Sequence, residues 1–207
     1  MKRKLSGVYL ITDTHIQTRF SHKELAIQAA EAGVQMIQYR NKQGGRRQAL
    51  REIEEMVSSV KDAKVSFLVN DRTDYALAGG ADGVHLGRDD LPIEAARSLL
   101  GDKRIIGGTS ATLEEALQVE QQGADYVALG HIFETETKKK DYPPRGLDTL
   151  RKVCDALAVP VVAIGGITLR SAPRVLEAGA DIIAVSSAIC TAENPSREAK
   201  NFVRLFS

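Results

Sequence analysis

The sequence predicts an α/β chain folded as one (β/α)8 TIM barrel, with a single domain over residues 1–207. Three observations carry that prediction. Strand-like and helix-like segments alternate along the whole chain, with no linker-like composition between them. A Gly-Ala-Asp turn recurs at Gly80-Ala81-Asp82, Gly123-Ala124-Asp125 and Gly179-Ala180-Asp181, echoed by Gly33 after Ala32. It reads as an internal repeat in which glycine ends each helix just before the next strand. Two late runs, Val161-Val162-Ala163-Ile164 and Ile182-Ile183-Ala184-Val185, are apolar on both faces, as buried parallel strands are. A doubly wound open sheet can alternate in the same way. Eight units in this length, with no Gly-rich dinucleotide loop after the first strand, favour the closed barrel.

The elements follow in order. A strand is predicted over 8–13 and a helix over 21–32, with Ser21 placed to cap it. Next come a strand over 36–40, a charged amphipathic helix over 46–62, a strand over 65–71 and a short helix over 75–78. A strand over 83–87 and a helix over 93–100 make the fourth unit, and 104–107 with 113–122 the fifth. The sixth has a strand over 126–133 and a helix over 147–157, and the two apolar runs are the seventh and eighth strands. A helix over 196–206 closes the chain.

Composition narrows the function. The net charge of +1 argues against a nucleic-acid coat, so any anion recognition must be local. No apolar stretch approaches a membrane span or a signal peptide. The two cysteines, Cys154 and Cys190, have no metal-ligand spacing and read as free core thiols, with a single incidental disulfide as the other reading. A cytoplasmic protein acting on small phosphorylated molecules, with no nucleic-acid or membrane partner, is expected.

In such barrels chemistry sits at the C-terminal ends of the strands. Asp71 and Asp90 leave adjacent parallel strands there, with Asn70 and Asp74 beside them. Either aspartate alone reads as a helix cap. Two carboxylates at neighbouring strand ends, about 4.8 Å apart in backbone spacing, can share Mg²⁺, which takes one or two protein carboxylates and fills its other sites with water and phosphate. Arg40, Lys42 and Lys138 place cations over the same mouth, and Thr135 and Thr137 flank Lys138 with hydroxyls suited to an oxyanion. Ser110 reads as a site hydroxyl or as the cap of the next helix. Gly165-Gly166 and Ser186-Ser187 end neighbouring strands in small residues, where backbone can approach a phosphate and a substituent at Gly166 would fill the anion's space. His15 and His22 read as solvent-facing and His85 as a satisfied barrel histidine. His131 is placed to exchange protons with a substrate, with a core position as its other reading.

Taken in order, the motifs resemble the thiamine-phosphate synthase family over essentially the whole chain. The matching segments are Tyr9-Leu10-Ile11-Thr12-Asp13, Gln38-Tyr39-Arg40-Asn41-Lys42, Val69-Asn70-Asp71-Arg72, Gly80 to Gly87, Asp89-Asp90, Thr135-Glu136-Thr137-Lys138 and Ala163 to Ile167. The resemblance implies coupling of 4-amino-2-methyl-5-hydroxymethylpyrimidine diphosphate to 4-methyl-5-(2-hydroxyethyl)thiazole phosphate, with loss of pyrophosphate. It implies Asp71 and Asp90 as Mg²⁺ ligands, and Gln38, Arg40, Lys42, Asn70, Ser110 and Lys138 on the pyrimidine diphosphate. Of these, Ser110 and Lys138 are expected nearest the reacting centre. Thr135, Thr137, Gly166, Val185 and Ser186 are implied on the thiazole phosphate. A homodimer is compatible with all of this.

One patch departs from the family pattern. Gly130-His131-Ile132-Phe133-Glu134-Thr135 and Pro143-Pro144-Arg145 resemble instead the paralogous thiazole tautomerase, which uses a histidine at the position of His131 as acid and base. Known tautomerases of that type degrade the Asn-Asp-Arg and Gly-x-Asp-Asp motifs, which are intact here, so the synthase is favoured. A non-catalytic barrel that binds a thiamine precursor would carry degraded catalytic positions, and none is evident.

Overall fold

Eight parallel strands close into a barrel in sequence order, β1-β2-β3-β4-β5-β6-β7-β8, with β8 pairing back to β1. The computed structural model describes residues 5–135, 137 and 142–206. The strands are β1 Gly7–Thr12, β2 Met36–Tyr39, β3 Ser66–Asn70, β4 Gly83–Leu86, β5 Ile105–Ser110, β6 Tyr126–Gly130, β7 Val161–Ile164 and β8 Ile182–Val185. The helices are α1 His22–Glu31, α2 Arg46–Val60, α3 Thr73–Ala78, α4 Ile93–Leu100, α5 Leu113–Gln121, α6 Gly146–Ala156, α7 Ala172–Glu177, α8 Ser187–Cys190 and α9 Pro195–Val203. No helix among the described residues is long and apolar enough to cross a membrane.

The recurring turn explains how neighbouring strands are set in register. Its glycine takes a positive φ, +72° at Gly80, +91° at Gly123 and +98° at Gly179, which ends the helix. Its alanine is buried, and its aspartate then bridges to the strand before it. Asp82 Oδ2 accepts from Phe67 N at 2.8 Å, Asp125 Oδ2 from Ile106 N at 2.8 Å and Asp181 Oδ2 from Val161 N at 2.9 Å. Gln35 does the same for Val8 N at 2.7 Å. Each bond satisfies an amide at the bottom rim that has no strand partner.

Two apolar layers result. Tyr9, Ile11, Met36, Leu68, Ile105, Tyr126, Ala128, Val162, Ile182 and Ala184 fill the barrel, and a larger layer packs between strands and helices. Inward residues alternate along each strand, so Gln38, Asn70, His85 and Thr109 share the inward face nearest the mouth.

Four boundaries differ from expectation. Strand β5 runs on to Ser110, because Gly107 and Gly108 continue to pair with β6. Strand β6 stops at Gly130, where the chain turns to pack over β7. Helix α3 starts earlier, at Thr73. The closing helix is α9, which ends at Val203 and gives way to a 3-10 turn over Arg204–Phe206, and the short α8 is an additional turn of helix ahead of it. Ser21 caps α1 as expected, in a full capping box with Glu24.

Candidate active site

The ends of β3 and β4 bring Asp71 and Asp90 together. Asp71 follows the last residue of β3 and its amide donates to His85 O at 2.8 Å, across to β4. It has φ +62°, the one non-glycine residue among those described with a left-handed backbone. An L-residue held there is strained by roughly 1–2 kcal/mol, and here the strain turns the carboxylate back over the mouth. Asp90 closes a tight turn, with Oδ2 accepting from Gly87 N at 2.7 Å. Neither aspartate is a helix cap, because Arg72 and Pro92 hold those positions.

The two carboxylates hydrogen-bond to each other, and Lys42 pairs with Asp71. Burial raises the proton affinity of both. At Asp71, bonds from Lys42 and Asp90 outweigh burial and hold it below the ordinary carboxylate value. At Asp90, burial and then the neighbouring Asp71 carboxylate push it up, so of the two Asp90 is the more readily protonated. Asp74 does not join the pair; it turns outward to a surface ion pair with Arg72. Among the described residues no group of three or more His, Cys, Asp or Glu could hold a metal, so any cation at Asp71 and Asp90 has a two-carboxylate site.

Next to this cluster, Arg40 at the end of β2 pairs with Asp13, whose side chain is buried at the end of β1. Sequence reasoning left Asp13 without a role, although it ends the first matching segment. His22 is also buried, against expectation: its ring packs 4.6 Å from Tyr39, and Nδ1 lies 2.8 Å from Thr12 Oγ1. Thr12 gives its proton to Gln38 O, so His22 Nδ1 is the donor to Thr12, and Nε2 accepts from Thr14 at 3.2 Å. Burial lowers the His22 pKa below its ordinary 6.5, the nearby Glu52 and Asp13 charges opposing it. His15 is exposed, as expected.

Gln38 is buried and donates through Nε2 to Tyr9 OH at 2.6 Å. His85 lies with its ring nitrogens 2.9 Å from Tyr126 OH and 2.9 Å from Thr109 Oγ1, the satisfied barrel histidine expected. Asn70 ends β3 opposite His85. Ser110 ends β5, fully buried, and donates to Ala128 O at 3.3 Å. Its lone pairs rather than its proton remain for a ligand. The cap of α5 is Thr112, which accepts from Glu115 N at 3.2 Å.

Across the mouth, the ends of β7 and β8 are built from backbone. Gly165 and Gly166 have φ +99° and +67°. The loop after β6 lies directly against them: a Cβ at Gly166 would sit 2.3 Å from Glu134 O, and one at Gly165 would sit 2.4 Å from His131 Cβ. Gly166 therefore makes room for the loop that carries Thr135 and Thr137, not for an anion directly. Val185 ends β8, and Ser186 Oγ donates to Ile11 O at 2.8 Å, tying β8 to β1. Among the described residues, no acceptor meets the amides of Gly166, Ile167, Ser187 and Ala188. Thr135 Oγ1 accepts from Thr137 N at 3.3 Å. His131 is buried beside Tyr142, ring centroids 5.4 Å apart, and its Nδ1 has no hydrogen-bond partner. Lys138 lies outside the described residues.

A family model described as "Thiamine monophosphate synthase" matches residues 8–189. The chain belongs to that family. As a member it is a transferase of the thiamine-phosphate synthase type. It is 43% identical over 201 residues to a thiamine-phosphate synthase of Salinibacter ruber, covering 97% of this chain and 88% of that one. It is 48% identical over 179 residues to the Chlorobium phaeovibrioides protein of the same name, covering 86% of each. The solved thiamine phosphate pyrophosphorylase of Pyrococcus furiosus superposes with a TM-score of 0.88 at 37% identity, over 96% of this chain and 94% of that one. Likeness to a 3-hexulose-6-phosphate synthase, with a TM-score of 0.69 at 20% identity, speaks for the barrel alone.

Proposed function

We propose that this mouth couples 4-amino-2-methyl-5-hydroxymethylpyrimidine diphosphate to 4-methyl-5-(2-hydroxyethyl)thiazole phosphate, with Mg²⁺ held by Asp71 and Asp90. The observation that carries the reading is the strained Asp71 turned onto Asp90, with Lys42 alongside. A two-carboxylate donor set in reach of a phosphate-binding cation fits Mg²⁺, which leaves most of its coordination to water and phosphate. Bound there, the ion would supply neutralisation of the departing pyrophosphate's charge.

The chain's own residues do the rest. Arg40, aimed by Asp13, and Lys42 give the diphosphate two cationic partners on one rim, and Lys138 is assigned a third from the matching motif. Asn70, Gln38 and Ser110 hold the pyrimidine side. The unpaired amides of Gly166, Ile167, Ser187 and Ala188, with Thr135, Thr137 and the backbone at Val185 and Ser186, hold the thiazole phosphate at a fixed distance. The bond from the pyrimidine methylene carbon to the diphosphate oxygen breaks, and its electron pair leaves with pyrophosphate. The thiazole nitrogen then supplies a lone pair to that carbon. No general base is needed at this nitrogen, so His131→Ala is expected to leave coupling mostly intact. Two free thiols, Cys154 and the buried Cys190, support a reducing, cytoplasmic setting.

The test is pyrophosphate release from the purified protein. Release that needs both substrates and stops with EDTA is expected. Coupling that EDTA leaves unchanged, or His131-dependent aromatisation of a thiazole tautomer with no coupling at all, would contradict the reading.

A further inference from the structure

His131 and the Pro143-Pro144-Arg145 stretch, where the chain departs from its family's pattern, have no part in the function assigned above. They form the two legs of the loop after β6. The first leg extends the pairing of β6 with β7, since Ile132 N donates to Ile164 O at 2.9 Å and Phe133 N to Gly165 O at 3.1 Å. It lies on glycine: Gly165 admits the His131 side chain and Gly166 admits Glu134 O. The second leg is stiffened by its sequence, because Tyr142 and Pro143 each precede a proline and are held extended. The legs are bonded to each other at the neck. Tyr142 OH donates to Gly130 O at 3.3 Å, Arg145 N to His131 O at 2.8 Å and Gly146 N to Ile132 O at 3.2 Å.

Side chains close the same neck. The Tyr142 ring lies 5.4 Å from the His131 ring, tilted by 36°, and the Arg145 guanidinium lies over it with Cζ 4.0 Å from the centroid. Among the described residues no carboxylate pairs with Arg145, and its Nε is buried without a hydrogen-bond partner. A guanidinium placed for fold stability alone keeps its N–H groups bonded. This one has given up a hydrogen bond for the ring face, an attraction that grows as both groups leave water. The neck opens directly onto the phosphate corner. Thr135 follows Glu134, whose carbonyl rests against Gly166, and Thr135 Oγ1 accepts from Thr137 N at 3.3 Å.

We propose that Tyr142 and Arg145 are positioning residues for the thiazole phosphate: their stack pins the two legs of this loop together, so that Thr135 and Thr137 stand at a fixed place beside the Gly166 turn. The inference rests on the reading that this loop and turn hold that phosphate. Hydroxyls already fixed against the turn bind an anion with less ordering than hydroxyls on a loose loop. Loss of the stack should therefore raise KM for the thiazole phosphate and leave kcat nearly unchanged. The clamp uses the His131 carbonyl and not its imidazole nitrogens, so His131→Ala leaves it in place. The departing patch thus gains a role that needs no proton transfer.

The experiment is a double-mutant cycle on Arg145→Gln and Tyr142→Leu, read by calorimetry with 4-methyl-5-(2-hydroxyethyl)thiazole phosphate. Each single variant should bind it roughly tenfold more weakly than the parent, and the double variant no more weakly than either. Tyr142→Phe, which keeps the ring, should recover most of the loss, and Arg145→Lys, which keeps the charge, part of it. Affinity for the pyrimidine diphosphate with Mg²⁺ should stay the same throughout. Hydrogen exchange, which needs no ligand, should quicken at the Phe133 and Thr137 amides in both single variants and stay unchanged at Val127 to Leu129 of β6. Should Tyr142→Leu not fold, Arg145→Gln decides by the same two readings. Unchanged affinity and exchange overturn the proposal. So does a small loss in Tyr142→Leu that adds to that of Arg145→Gln, which would place Arg145 on the phosphate itself. If exchange quickens but the parent binds no thiazole phosphate, the function assigned above fails and the clamp on Thr135 and Thr137 stands.

Discussion

At the ends of β3 and β4 the mouth is lined by charged side chains in a strained backbone, whereas at the ends of β7 and β8 it is lined by glycines and unpaired amides. The first region holds Asp71 at φ +62°, Asp90 and Lys42. The second holds Gly165, Gly166 and the start of α8, with no charged side chain in either turn. On the function proposed above, the difference is a division of labour. A cation site needs carboxylates, whose charge a substitution removes outright, and a phosphate that keeps its place through the reaction can be held by amides that only a change to proline deletes.

Substitutions should therefore act unequally on the two sides. The largest effect is expected at Asp71. Asp71→Gly removes a carboxylate and relieves the left-handed strain, so turnover should fall by at least about 10²-fold while the melting temperature holds or rises. A loss of turnover that merely tracked a loss of stability would erase the contrast. Gly166→Ala should act through the backbone instead. The added Cβ meets Glu134 O, so the loop carrying Thr135 and Thr137 must move, with roughly 1–3 kcal/mol of destabilisation. Calorimetry should show weaker thiazole phosphate binding and unchanged affinity for the pyrimidine diphosphate; the reverse pattern would put the phosphate elsewhere.

A smaller effect is expected at His22, beneath the Arg40 corner. Its folded pKa lies below the unfolded value near 6.5, so it contributes fully above that pH, and its contribution is lost as the pH falls below it. The melting temperature of the parent should drop more steeply between pH 7 and pH 5 than that of His22→Asn. Equal slopes would show that His22 is not held neutral. The smallest effect is expected at Ser186. Ser186→Ala deletes the bond to Ile11 O, worth about 1 kcal/mol, and should barely move thiazole phosphate affinity, because amides rather than this hydroxyl hold the anion. A loss of tenfold or more in that affinity would make the second region a side-chain site like the first.

The same contrast governs what the sequence let one see. The Gly-Ala-Asp repeat and the apolar runs announced the barrel, since each glycine and aspartate does one local job in every unit. Gly165-Gly166 was legible because the abrupt end of an apolar strand marks it. Asp71 and Asp90 became legible only as a pair, once the strands were placed side by side. The positive φ of Asp71 was not legible, because aspartate suits a cap, a turn or a ligand equally well by composition. His22 was misread from its polar neighbours. Its spacing to Leu25, Ala26 and Ala29 places it on the buried stripe of α1, and that signal was available. The ion pair of Asp13 with Arg40 and the bonds of Gln38 to Tyr9 and of His85 to Tyr126 and Thr109 join residues from different strands, and the single-strand patterns carry no trace of them.

The most direct measurement is a crystal structure of the protein with Mn²⁺ standing in for Mg²⁺, pyrophosphate and thiamine phosphate, read by the anomalous signal of the metal. The account predicts one manganese peak bonded to Asp71 and Asp90 with pyrophosphate against Arg40 and Lys42, and the thiamine phosphate's phosphoryl group on the amides after β7 and β8. Manganese away from both aspartates, or a phosphoryl group held by side chains away from Gly166 and Ser187, would contradict it.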